Sequence, residues 1–129
     1  MNKPAHQTDQ TIKIPGVVKP IPIGLITHCK GYGNYTLIYR LGEKYPIVSS
    51  WTLKLFEKQL PSFLRANKST LINHRHIMSI ERLDGRSLEF MLANEAPVMV
   101  ARRRVQGIRA KLAQLQNQKE SAASFARLA

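Results

Sequence analysis

The sequence predicts a mainly β domain of antiparallel strands, with one short helix after the first meander and a second helix near the C-terminus. Three observations carry that prediction. Short runs rich in β-branched and aromatic residues alternate with turn signals built on Gly, Asn and Asp. Before the last strand, helical spacing appears at Leu53, Phe56 and Leu60, which fall at i, i+3 and i+7. From Arg102 onward β-type alternation gives way to apolar steps of three and four at Val105, Ile108, Leu112 and Leu115. The chain has 129 residues and is 43% hydrophobic, enough for one domain with its own core plus a tail or two.

Residues 1–22 are polar and then punctuated by Pro4, Pro15, Pro20 and Pro22, so a flexible leader that need not pack is expected there. Ile23–Cys29 reads as the first strand and ends at Lys30-Gly31-Tyr32-Gly33-Asn34, a turn signal. That Gly-Tyr-Gly is too short and wrongly placed for a dinucleotide fingerprint. Tyr35–Leu41 is the second strand, Gly42-Glu43 a turn, and Tyr45–Ser49 the third. Ser49-Ser50 offers helix caps, Trp51–Leu60 the helix, and Pro61 its stop. Lys54, Glu57 and Lys58 then point to solvent. Ile77–Leu83 and Ser87–Leu92 form a hairpin across Asp84-Gly85. Asn94-Glu95 turns the chain into an edge strand at Pro97–Val100. The stripe from Val105 to Leu115 packs on its own domain or, as the second reading, on another copy. Residues 116–129 are polar and Ala-rich, a tail or a helix extension.

Charge narrows the function. Twenty Lys and Arg against eight Asp and Glu give a net charge of +12, which concentrates polyanions around the protein and points to nucleic acid or an anionic membrane surface. No apolar run approaches the roughly 20 residues needed to span a bilayer, and Met1–Gln10 lacks a signal-peptide core. A cytoplasmic protein without membrane insertion is expected. Cys29 is the only cysteine, which excludes an intramolecular disulfide and fits a small buried hydrophobe in a reducing compartment. His74 and His76 are two apart, but no Cys, Asp or Glu stands near them to complete a metal set. Paired carboxylates, a phosphate-binding loop and a glycine-flanked serine elbow are all missing, so neither an enzyme nor a cofactor is expected.

The segment from Phe63 to Ile77 holds Arg65, Lys68, His74, Arg75 and His76 among apolar anchors and has no acidic residue. It reads as a loop that docks on nucleic acid, with Asn73 as a structural amide. Arg102, Arg103 and Arg104 stand where the last strand becomes the last helix, and their guanidinium forks suit phosphate oxygens or a guanine edge. Arg109 and Lys111 follow on the helix as a solvated face. The alternative is a nonspecific or RNA-binding basic protein, in which Tyr32, Tyr35, Tyr39 and Tyr45 are the only candidates for stacking bases.

These residues resemble the LytTR family, the DNA-binding domain of LytR/AlgR-type bacterial response regulators. The features that match are Gly33-Asn34-Tyr35, then Thr52-Leu53 with Phe56 and Leu60. Phe63-Leu64-Arg65, Lys68-Ser69 and Leu71-Ile72-Asn73 follow, with Ile77 after them and Pro97-Val98 before the Arg pair. The likeness runs from about Ile23 to Leu112. Asn67 stands where the family commonly has His, and Ala101 where it commonly has Ser. The resemblance implies packed antiparallel sheets over residues 23–115. It implies a sequence-specific transcription regulator whose loops enter the major groove of double-stranded DNA, acting as a dimer on repeat sites. It places the contacts at Asn34 and Tyr35, at Arg65, Asn67, Lys68 and Ser69, and at Arg102, Arg103 and Arg104. With residues 1–22 ahead of the domain, no receiver domain is expected, and a separate regulatory protein is one expected source of control.

Overall fold

Strands within residues 26–73, the central ones buried on both faces, build the sheet that positions everything else. A computed structural model of the chain describes residues 10–83, 87–93 and 97–115. The strands are β1 (Thr11–Ile12), β2 (Ile21–Pro22), β3 (Ile26–Tyr32), β4 (Tyr35–Arg40), β5 (Ile47–Ser49), β6 (Phe63–Asn67), β7 (Thr70–Asn73), β8 (Ile77–Arg82), β9 (Leu88–Leu92) and β10 (Pro97–Val100). Helix α1 (Leu53–Gln59) follows β5, and helix α2 spans residues 105–115. All pairings are antiparallel, in sheets ordered β1-β2, β5-β4-β3-β7-β6 and β10-β9-β8. The predicted mainly β architecture with two helices is the one observed.

The two faces of the five-stranded sheet have different fates. On one face Cys29, Ile38, Phe63 and Leu71 pack against Leu53 and Phe56 of α1 and Leu60 at its C-terminal cap. Gly31 makes that approach close: a Cβ there would stand 3.2 Å from the Leu53 Cβ. On the other face Leu64, Ala66 and Ile72 form a second core with Leu88, Phe90, Leu92, Val98 and Val100 of the three-stranded sheet. Val105 and Ile108 of α2 are buried in this core, with Leu112 and Leu115 packed against it, so the apolar stripe serves its own domain. Lys111 Nζ also donates to the Phe63 carbonyl, 2.9 Å away.

Several local expectations are corrected. Residues 10–22 are packed rather than a free leader: β1 pairs with β2, and Ile12, Ile14 and Ile21 complete the first core. The prolines left room for three isoleucines to bury, which outweighs their breaking of longer strands. The first strand starts at Ile26 because Ile23–Leu25 form a 3-10 turn. The cap of α1 is Thr52, whose Oγ1 accepts from the Leu55 amide at 3.4 Å. Ser49 is instead held in β5 opposite Thr36. The segment from Phe63 to Ile77 is not a loop but the β6–β7 hairpin followed by a 3-10 turn at His74–His76. The expected turns at Asp84-Gly85 and Asn94-Glu95 and the tail at 116–129 lie outside the described residues.

Candidate nucleic-acid interface

Three basic or polar features project from one end of the five-stranded sheet. The first is the two-residue turn Gly33-Asn34 between Tyr32 and Tyr35, which are directly paired. Gly33 has φ +59°, a left-handed conformation that glycine adopts without penalty. Asn34 and Tyr35 are exposed. The second is the Lys68-Ser69 turn of the β6–β7 hairpin, with Lys68 exposed. β3 pairs with both β4 and β7, so these turns are neighbours, and the Gly31 amide donates to the Ser69 carbonyl at 2.8 Å. The third is the 3-10 turn Arg102–Arg104 at the end of β10. It is brought alongside β6 by the Ala101 amide, which donates to the Ala66 carbonyl at 2.9 Å.

The side chains of this region divide into those facing out and those holding the turns. Arg65 belongs to the second group. Its Nη1 donates to Glu57 Oε1 at 2.6 Å, its Nε to the Asn67 carbonyl at 3.0 Å, and its Nη2 to the Lys68 carbonyl at 2.6 Å. A planar fork can meet two carbonyls and a carboxylate together, which an ammonium cannot. Asn67 is also engaged within the protein. Its Oδ1 accepts from the Ser69 amide at 2.9 Å and from the Ser69 hydroxyl at 3.2 Å, and its Nδ2 donates to the Met99 carbonyl at 2.7 Å. One amide therefore shapes the turn and ties it to β10, the strand that leads into the arginines.

The arginine triplet also divides. Arg102 and Arg103 are exposed, whereas Arg104 is half-buried, and its Nε is enclosed without a hydrogen-bond partner among the described residues. Asn73 is the buried structural amide the sequence indicates: Nδ2 donates to the Ile26 carbonyl at 2.9 Å, and Oδ1 accepts from the Arg75 amide at 3.1 Å. His76 Nε2 lies 2.7 Å from the Gly24 carbonyl. Among the described residues no group of three or more His, Cys, Asp or Glu is arranged to hold a metal ion, and no helix is long and apolar enough to cross a membrane.

Sequence reasoning missed a groove of about 480 Å³ beside these turns, where β3 and β4 meet the β6–β7 turn and the edge of β10. His28 and Lys30 line it from β3, Tyr39 from β4, Ser69 from the turn and Met99 from β10. The His28 and Tyr39 rings stack with centroids 4.4 Å apart, and Thr27 Oγ1 lies 3.1 Å from His28 Nδ1. Burial, helped by the Lys30 charge, lowers the His28 pKa to about 4, so this ring is neutral at pH 7. The period-2 step that sets His28, Lys30 and Tyr32 on one face of β3 was the available signal.

Comparison with known proteins identifies the family and the fold. The model of the LytTr DNA-binding domain matches residues 17–113. Among solved structures, the chain is similar to a LytTr DNA-binding domain from a methyl-accepting/DNA response regulator of Bacillus cereus. The TM-score is 0.65 at 21% identity, covering 80% of this chain and 94% of that one. Comparison with curated proteins finds no match. With the family model matching three quarters of its length, the chain belongs to the LytTR family of DNA-binding domains.

Proposed function

We propose that the protein is a sequence-specific transcription regulator that inserts its turns into the major groove of double-stranded DNA. The observation that carries this reading is the convergence of Asn34, Lys68 and Arg103 at one end of the molecule on separate, hydrogen-bonded supports. In this reading Lys68, Ser69, Arg102 and Arg103 contact the duplex together with Asn34 and Tyr35. Arg65 and Asn67 hold the central turn, and Arg104 stands half-buried behind Arg102 and Arg103. Two copies on paired repeats would double the interface, and a separate protein would supply the signal.

Selection of duplexes from a random pool, followed by affinity measurements, tests the proposal. Contact with about five phosphates gives a slope near −4.5 for log affinity against log salt. Arg103→Ala should weaken the selected duplex by about 1–3 kcal/mol more than a scrambled one. Equal losses on both duplexes would reduce Arg103 to a phosphate contact. Displacement of the selected duplex by single-stranded RNA at matching concentration would overturn the double-stranded DNA reading altogether. The RNA alternative has less to draw on: Tyr39 is stacked on His28, and Tyr45 lies beyond the opposite end of β4 from Tyr32 and Tyr35.

A further inference from the structure

We infer that Lys30, on the floor between the first two contact turns, is a fourth point of attachment that seats a backbone phosphate of the duplex. The inference rests on the DNA-binding reading above and adds a site to it. Lys30 lies on the central strand of the five-stranded sheet, paired with Thr70 on one side and Leu37 on the other. The next residue, Gly31, is bonded to the Ser69 carbonyl, and Gly33 opens the first turn. A group bound at Lys30 therefore lies between the Asn34 turn and the Lys68 turn, where a strand spanning both must pass.

The chemistry of the position selects an anion. Among the groove residues Lys30 carries the only charge, since His28 is neutral and the other walls are hydroxyls, amides and apolar groups. Its ammonium forms no ion pair among the described residues; the two pairs found there are Arg40–Glu43 and Arg65–Glu57. The ammonium instead stands 5.8 Å from the centre of the Tyr32 ring, an attraction that holds it toward the exposed end of β3. Tyr32 and Tyr35 are both exposed beside it. A half-buried cation held by an aromatic ring on the wall of a groove that Ser69 and Thr70 also line suits a phosphate diester. The face opposite, where α1 packs on Gly31, offers no such access.

Lys30→Gln in the full chain, with duplex affinity followed by fluorescence anisotropy across a KCl series, tests the inference. Each phosphate neutralised contributes about 0.9 to the salt slope, so the variant's slope should be shallower by about that amount. Affinity at 0.1 M KCl should fall about eightfold, by the same factor on selected and scrambled duplexes. Lys30→Arg should keep the wild-type slope, which separates loss of charge from loss of fold. An unchanged slope in Lys30→Gln would overturn the inference. A loss confined to the selected duplex would also do so, since it would make Lys30 a base contact. Absence of duplex binding by the wild-type protein would instead overturn the DNA-binding reading itself, so the two failures are distinguishable.

Discussion

Replacing Asn67 separates a residue that touches DNA from one that positions those that do. Asn67→Ala removes two bonds from Ser69 and the bond to the Met99 carbonyl. At a partly exposed site water replaces much of what is lost, so the net cost is about 1–2 kcal/mol rather than the sum of three buried bonds. The Ser69 amide, whose acceptor disappears, should exchange with solvent about 5–30 times faster. The Ala101 amide, bonded to Ala66 beside the lost Met99 contact, should follow. Asn67→Asp is the sharper probe: a carboxylate still accepts from Ser69 but donates nothing to Met99 and repels its carbonyl. In that variant the Ser69 amide should stay protected while Ala101 loosens. Because the new charge would itself weaken DNA binding, Asn67→Asp is read by exchange alone. Asn67→Ala is read by both, and its affinity loss should shrink when Lys68→Ala is already present, since the turn it orders then has less to contribute. Unchanged exchange at Ser69 and Ala101 in Asn67→Ala, together with a large and fully additive loss of affinity, would refute the positioning role.

Arg65→Lys should lower stability almost as much as Arg65→Ala, about 1–2 kcal/mol by urea midpoint, because an ammonium cannot serve Glu57 and two carbonyls at once. Glu57→Gln touches only the half-exposed ion pair and should cost less than about 1 kcal/mol. His28 makes stability depend on pH. Its folded pKa of about 4 lies below the unfolded 6.5, so the unfolded chain binds the extra proton between those values. The His28 contribution is intact above pH 6.5 and falls away toward pH 4 by about 2–3 kcal/mol, a loss that His28→Gln should abolish in urea titrations. Cys29 is fully buried, and desolvation pushes its thiol up to about 12. It should resist iodoacetamide at pH 8 in the folded protein and react once urea unfolds it, as mass spectrometry would record.

Much of the fold was legible because burial in this chain follows simple periods. The two-residue alternation of β6 and β7 sends Phe63 and Leu71 to one core and Leu64, Ala66 and Ile72 to the other. The three-and-four steps of the two helices mark the faces they bury. Residues 10–22 were illegible for a physical reason: two-residue strands are too short to show a period, and their prolines read as breakers although Ile12, Ile14 and Ile21 are core. The candidate interface was legible as residue types at turns, which identified Asn34, Lys68 and the arginines. The division of labour within it was not. The Glu57–Arg65 pair spans a helix and a strand, and the Asn67 bond to Met99 joins two sheets across 32 positions of sequence. Only the folded register reveals such contacts, and the same holds for the groove that collects His28, Lys30 and Tyr39 from neighbouring strands.

In the DNA-binding reading three separated turns form one surface. Amide hydrogen exchange of the protein with and without a selected duplex tests it most directly. Protection should rise together at Asn34, at Lys68 and Ser69, and at Arg102 and Arg103, while the outer face of α1 at Lys54 and Lys58 stays unchanged. Protection centred on Lys54 and Lys58, with the three turns unaffected, would contradict the account.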